Sequence, residues 1–402
     1  MASAGKVLIL VENLSVPFDR RVWQEARTLA QNGWQVSVIC PRMVDRRSFD
    51  FIEGVAIYRY WLPFTARRAL GYLIEYPWAM LLTFFCACYV FLRRGFRVIH
   101  ACNPPDLFFL VAWPFKLFGV KFVFDQHDLC PETFLSKFGS GEGFLLRWLY
   151  RLEKRTYRSA RAVIATNESY KRVAIERGGV APERVFVVRS APDLSRFVPT
   201  PPNPALKKGR SYLVAYLGTM GRQDGVDYLL RSIRVIRHNW QRTDIQFTLM
   251  GGGENLASLR RMATELDLDD VVEFTGRVSN ETVCEILSTA ELCVAPDPVN
   301  PLNDKSTMNK ILEYMAMSRA IVSYRLAESV FSAGEAAVYA NENDETDFAR
   351  KIIELLNDPA RRQRMGESGY ARLKSELSWE HSTRHLLACY DSLFSPPTLW
   401  GE

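Results

Sequence analysis

The stretch "KVLILVENLSVPFDRRVWQEARTLAQNGWQVSVICP", residues 6–41, decides the fold. Its first run, "KVLILV", reads as a strand. "DRRVWQEARTLAQNG" then carries apolar residues at helical spacing and ends on a glycine, and "WQVSVICP" reads as a strand again. Strand, helix and strand in that order predict a βαβ unit, because two parallel strands need a crossover between them.

The same alternation continues outward. "VAIYRY", "FRVIHA", "KFVFDQH", "RAVIAT" and "RVFVVRS" read as further strands, most of them separated by helical stretches. Residues 197–210, "FVPTPPNPALKKGR", are Pro-rich, polar and aperiodic, and read as a linker. A second series follows, with "YLVAYLG", "IQFTLMGGG", "VVEFTG", "LCVAP", "AIVSY" and "AAVYA" as its strands. The expected organisation is α/β: two Rossmann-like, doubly wound domains, residues 1–196 and 211–375, facing across a cleft. Residues 376–402 then read as a last amphipathic helix free to pack on either domain, including back across the first. In such sheets ligands sit at the carboxyl ends of the strands, so functional motifs should follow strands directly.

Composition narrows the chemistry. With 402 residues, 48% hydrophobic and 24% charged, the chain is long enough for two or three cores. Its eight Cys show no C-x-x-C pair and only five His are present, which encourages neither a disulfide framework nor a zinc site; a reducing, cytoplasmic compartment fits, and no metal is expected. The apolar run Val7–Val11 is too short for a signal peptide. Arginines crowd the first hundred positions (Arg20, Arg21, Arg42, Arg46, Arg47, Arg59, Arg67, Arg68, Arg93, Arg94 and Arg97), which favours an anionic partner. No zinc finger, RNP-like or helix-turn-helix signature is present, so that partner is not expected to be nucleic acid. Residues 76–92, "YPWAMLLTFFCACYVFL", are uncharged and slightly short of the roughly 18–20 residues of a spanning helix. With "ARRALGYLIEYPW" upstream they read as a hydrophobic helix pair whose basic edges touch an anionic membrane surface, an ordinary core helix being the alternative. That places the protein peripherally on the inner face of the plasma membrane.

Five motifs follow strands or open helices. Gly251, Gly252 and Gly253 let the backbone bend sharply and approach a phosphate or ribose. In "LGTMGRQDGVDYLL", Gly218, Gly221 and Gly225 surround a loop on which an anion could rest beside Arg222. In "DKSTMNKILEYMA", Ser306 or Thr307 is the expected N-cap of a helix whose amides and positive dipole end stabilise an anionic leaving group. Lys310 lies three residues before Glu313, where an ion pair between them is the plain alternative. Glu313 sits in an otherwise apolar run and reads as a carboxylate buried at a helix–sheet interface, satisfied by sugar hydroxyls. "FDQHDLCPE" sets His127, Asp128 and Glu132 in one loop, a proton-transfer or hydrogen-bonding site tuned by the carboxylates. Arg20 and Arg21 stand at a helix N-terminus, where an anion between them would offset their conflict with the dipole.

Together "PFDRRVWQEARTLAQNGWQVSVICP", "FDQHDLCPE", "AYLGTMGRQDGVDYLL", "LMGGGENLASL", "VEFTGRV", "NKILEYMAMSRAIV" and "LLNDPARRQRMGESG" resemble, in order and spacing, the glycosyltransferases of family 4, retaining enzymes of the GT-B fold. The resemblance implies a UDP- or GDP-sugar co-substrate and no other cofactor. It places the base near Gly276–Val278, and hence near Arg277 and Val278, with Glu313 on the ribose. The diphosphate would lie over the helix start at Ser306, Thr307 and Asn309 and over Gly221–Arg222, with His127 near the transferred sugar and the acceptor on the N-terminal domain. That acceptor would be a glycan or a lipid-linked precursor. Two positions depart from the family pattern. Lys305 stands eight positions before Glu313, where a second Glu is common, and Thr219 and Asp224 replace the usual basic pair, leaving Arg222 and Lys310 to supply the charge. A nucleotide-sugar epimerase and a non-catalytic GT-B relative are the other readings.

Overall fold

Leu8, Ile9 and Leu10 are wholly buried, which puts β1 (Gly5–Leu10) at the centre of a sheet. It pairs in parallel with β2 (Trp34–Arg42) and β5 (Val98–Cys102), with Val7 opposite both Val36 and Val98. The computed structural model describes residues 4–43, 47–63, 69–139 and 143–394. The other strands of this sheet are β3 (Phe49–Ile52), β4 (Val55–Trp61), β6 (Lys121–Gln126), β7 (Ala162–Ala165) and β8 (Val185–Val187), in the order β3-β4-β2-β1-β5-β6-β7-β8. All its pairings are parallel except β3–β4, a hairpin turning through Glu53 and Gly54, both at positive φ. The pattern read from sequence does not include β3, since four residues carry too little alternation to stand out.

The second sheet contains β9 (Tyr212–Leu217), β10 (Ile245–Met250), β11 (Val272–Gly276), β12 (Leu292–Ala295), β13 (Ala320–Tyr324) and β14 (Ala337–Ala340), ordered β11-β10-β9-β12-β13-β14 and parallel throughout. One face is buried around Tyr216, Phe247, Leu249 and Phe348, the other around Leu213, Ile321, Leu312 and Met315. Both faces are therefore covered, as an all-parallel sheet requires.

Two details differ from the sequence reading. The expected helix pair is one continuous helix, Ala69–Arg93, with Pro77 inside it, since neighbouring packing outweighs the one backbone donor that Pro removes. Residues 197–210 are laid along the second sheet's unit: Phe197 is buried, the Thr200 N–H donates to Ser288 Oγ at 3.0 Å, and the Asn203 N–H donates to Thr289 Oγ1 at 2.9 Å. Residues up to Ser190, with those from Glu380 onward, form one compact unit, and Ala191–Trp379 form the other. The last helix, Trp379–Ser392, belongs mainly to the first unit, where Tyr390 meets Trp34 edge-on at 4.9 Å.

Candidate active site

The loops after β9 and β10 are bonded into a single floor. The N–H of Gly218 donates to the Met250 carbonyl at 3.1 Å, that of Met220 to Gly252 at 3.1 Å, and that of Asn255 to Met220 at 3.0 Å. Only glycine fits this contact: a Cβ at Gly251 would overlap the Gly218 carbonyl, and one at Gly253 would lie 2.6 Å from the Met220 oxygen. The N–H groups of Gly252 and Gly253 have no partner among the described residues. Gly251 donates to the Gly276 carbonyl at 2.8 Å, which draws Arg277 and Val278 to the same edge, with exposed Arg277 alongside Gly252.

The N-cap position of the helix Asn309–Ala316 falls one or two residues later than expected. Met308 occupies the N-cap position and makes no side-chain cap bond. Ser306 instead closes the preceding short turn, Asn303–Lys305, its hydroxyl donating to the Leu302 carbonyl at 2.8 Å. Asn309, exposed, opens the helix.

Lys310 is buried and does not pair with Glu313. Its Nζ donates to Asp297 Oδ1 at 2.6 Å, lies 3.9 Å from Asp224 Oδ1 and sits 5.1 Å above the Tyr216 ring. Burial raises the Asp297 carboxyl above its ordinary range, with Lys310 opposing. Asp224 braces the first loop, accepting from Thr219 Oγ1 at 2.9 Å and from the Gly221 N–H at 2.8 Å. Arg222, on the same loop, is exposed and has no partner among the described residues. Glu313 is half-buried rather than enclosed: Ile311, Leu312, Tyr314 and Met315 take the core positions and leave it at the boundary. The expectation of a fully buried carboxylate is corrected accordingly.

In the first unit a buried ionic network underlies His127. Asp125, at the end of β6, accepts from Arg21 Nη2 at 2.9 Å and lies 2.5 Å from His127 Nε2 and 3.3 Å from His100 Nε2. Arg21 also reaches Glu25 at 3.0 Å and the Val188 carbonyl at 2.7 Å. Burial alone would raise the Asp125 carboxyl, but Arg21 and the imidazoles hold it well below the usual range. An ionised carboxylate only accepts, so the His127 proton sits on Nε2 and Nδ1 is left for a ligand. Asn103 fixes the loop, its Oδ1 accepting from the N–H groups of His127 at 2.7 Å and Asp128 at 3.0 Å.

Three expectations change here. Arg21 is committed inside the unit and cannot share an anion with Arg20, which stays exposed. Glu132 does not tune His127; both its oxygens accept from Arg177, at 2.6 and 3.1 Å. The arginine excess is partly internal, since Arg59 is also buried, on Asp50 and the Val16 carbonyl, while Arg46, Arg67 and Arg68 lie outside the described residues. Asp128 is half-buried beside His127. Asp125, His100 and Asn103 were missed in sequence because nothing local marks them; their roles come from strand pairing.

Ligand atoms of Glu25, Cys102, Asp125 and His127 lie within 4.8 Å of one another. The donor set does not suit a metal. Arg21 already pairs with both carboxylates, burial pushes the Glu25 carboxyl well above its ordinary range, and burial, with Asp125 and Glu25 adding to it, pushes the Cys102 thiol well above the range in which a thiolate forms.

Two largely parallel α/β sheets, each in its own unit, define the class, that of the GT-B glycosyltransferases. Residues 19–191 match the glycosyl transferase 4-like domain, and residues 211–358 match glycosyl transferases group 1. The chain belongs to glycosyltransferase family 4. It is 26% identical over 298 residues to alpha-maltose-1-phosphate synthase of Mycolicibacterium smegmatis, covering 68% of this chain and 73% of that one. It is 28% identical over 204 residues to a GDP-mannose-dependent monoacylated alpha-(1-6)-phosphatidylinositol monomannoside mannosyltransferase of Corynebacterium glutamicum, covering 48% of this chain and only 52% of that one. Among solved structures, sucrose-phosphate synthase of Thermosynechococcus elongatus shares the fold with a TM-score of 0.78 at 18% identity, covering 97% of this chain and 99% of that one. HepE of Anabaena, solved with UDP and glucose, does so at 0.72 and 13%, covering 96% and 100%.

Proposed function

We propose that this protein is a retaining, metal-independent glycosyltransferase that moves a sugar from a UDP- or GDP-sugar to a lipid-linked or surface-polysaccharide precursor. One observation carries the reading: the two joined glycine loops, with unpartnered N–H groups at Gly252 and Gly253 among the described residues, lie beside the start of the helix Asn309–Ala316, with Lys310 against Gly218. Unpaired amides and two cations, Arg222 and Lys310, are what a diphosphate requires. In this reading Arg277 and Val278 flank the base and Glu313 accepts from ribose hydroxyls. Asn309, with Ser306 and Thr307 just before it, borders the diphosphate.

The bond from the anomeric carbon to the diphosphate oxygen breaks as the acceptor oxygen bonds to that carbon on the same face. The departing phosphate oxygen takes the acceptor proton. Amides, Arg222 and Lys310 stabilise the charge that develops, so no protein nucleophile is needed. His127 hydrogen-bonds the transferred sugar through Nδ1. A nucleotide donor is supported by the HepE complex, and a lipid-linked acceptor by the name of the Corynebacterium relative. Eight free thiols support a reducing, cytoplasmic compartment.

A second reading, a relative that binds donor without turning it over, is favoured by Asp224 standing near Lys310 where the family pattern expects a cation. A nucleotide-release assay across donor sugars, with and without lipid-linked acceptors, separates the two. Acceptor-dependent release supports transfer, and saturable binding without release supports the second. Glu313→Gln should weaken nucleotide affinity about tenfold or more by isothermal titration; unchanged affinity would remove Glu313 from the donor site.

A further inference from the structure

The helix Ala69–Arg93 leaves a complete stripe of large apolar side chains in water. Ile74, Trp78, Leu81, Phe85, Tyr89 and Leu92 are 42–85% exposed and recur at intervals of four, three, four, four and three. That spacing holds one side of a helix through five turns, about 27 Å of length. The opposite side is ordinary core: Ala79, Met80, Thr83, Ala87 and Val90 are buried.

A second apolar strip continues it. The helix Phe108–Lys116 packs on the first through Phe115, whose ring lies 6.1 Å from Phe84 and 5.4 Å from Phe91. Leu110, Trp113, Leu117 and Phe118, on or just after that helix, are 55–78% exposed. Isolated exposed apolar residues need no explanation, but a contiguous face of this size does.

Its charged surroundings are one-sided. Arg93 and Arg97 are exposed at the end of the long helix, while Glu75 and Asp106, the acids in or next to these two helices, are buried. The neighbouring helix Phe144–Ser159 exposes Phe144 and Trp148 and then Arg147, Arg151, Lys154, Arg155 and Arg158; its acid, Glu153, is buried against Arg177. A second copy pressed on this face by two-fold symmetry would bring cations toward cations. An anionic bilayer offers hydrocarbon for the stripe and phosphate for its rim.

We infer that these three helices form a monotopic docking face for an anionic lipid bilayer, with the long helix lying in the interface. The long helix meets the length and composition of a spanning segment, yet its buried stripe is part of the core of the first unit. It therefore cannot be ringed by lipid, and it enters only to the depth of its exposed side chains. The inference deepens the lipid-acceptor reading, and its test measures binding without turnover, so either can fail alone.

The test is flotation of the full chain with vesicles of phosphatidylcholine, with and without about one-third phosphatidylglycerol. Co-flotation is expected with the anionic vesicles, weaker in high salt. The exposed-site variant Phe85→Ser/Leu92→Ser/Trp113→Ser should lose about tenfold or more in vesicle affinity, and Arg151→Glu/Arg155→Glu should lose the preference for anionic lipid. Circular dichroism on both variants confirms that they are folded. Three outcomes would overturn the inference: no flotation at low salt, equal flotation of the triple variant, or protein retained in the bilayer after an alkaline wash, which indicates a span. Sedimentation showing a dimer that the triple variant abolishes, without vesicle binding, would assign the face to a second copy.

Discussion

At the residue scale, the chemistry of His127 depends on a neighbour two positions earlier. Asp125 anchors Nε2 and is itself held ionised by Arg21, so His127 is oriented by buried groups. His127→Ala is expected to lower kcat about a hundredfold while leaving nucleotide affinity nearly unchanged. Asp125→Asn should also lower kcat, and the double variant should be little worse than either, as expected of residues acting as a unit. Steady-state kinetics on the three proteins check this; additive losses would mean that the two act separately. Lys310 poses the matching question in the second unit. Lys310→Met leaves Asp297 buried without its cation, at a cost of about 3–5 kcal/mol. Lys310→Met/Asp297→Asn should recover most of the thermal stability and none of the donor affinity. Recovery of both would make the pair structural.

At the scale of elements, the glycine loops work because two backbones touch. A methyl group at Gly253 meets the Met220 carbonyl at 2.6 Å, whereas at Gly252 its nearest neighbour is the Arg277 side chain at 3.7 Å. Gly253→Ala is therefore expected to separate the loops, costing about 1–3 kcal/mol of stability together with donor affinity. Gly252→Ala should keep the stability and lose affinity only if a ligand approaches that backbone closely. Denaturant midpoints and nucleotide titrations on the two variants decide it.

At the scale of the molecule, the first unit's core is completed by the far end of the chain. The Tyr390 hydroxyl lies 2.8 Å from His100 Nδ1, and Leu386, Cys389 and Tyr390 are fully buried. Deleting residues from Glu380 onward should lower the melting temperature of the first unit and spare Ala191–Trp379; differential scanning calorimetry would show one of two transitions displaced. The same unit holds buried acids at raised pKa. Burial, with Glu75 beside it, takes the Glu12 carboxyl from an ordinary 4.5 to about 8, and burial takes Glu153 to about 7 despite Arg177. Below the ordinary value both folded and unfolded chains are protonated. From there to about pH 8 only the unfolded chain ionises, so this contribution to stability declines as pH rises. Glu12→Gln should flatten that decline and raise the melting temperature at pH 8 by roughly 5 °C. An unchanged pH profile would show that Glu12 does not titrate abnormally.

Period and punctuation alone determined the parallel strands of the two sheets. Runs such as "KVLILV" and "IQFTLM" followed by helical spacing have few other packings, and the glycines after β9 and β10 mark turns wherever they fall. Local pattern also singled out His127, Lys310 and Glu313 as candidates, residue types that stand out against their surroundings. Only the tertiary structure decided what these residues meet. Lys310 turns to Asp297, thirteen positions away, Arg21 to Asp125, and Ser306 away from the helix it was expected to cap. Likewise, apolar spacing marks both sides of the helix Ala69–Arg93, and only packing showed which side is covered. Periodicity is a property of neighbours along the chain, whereas charge pairing and burial are set by neighbours in space.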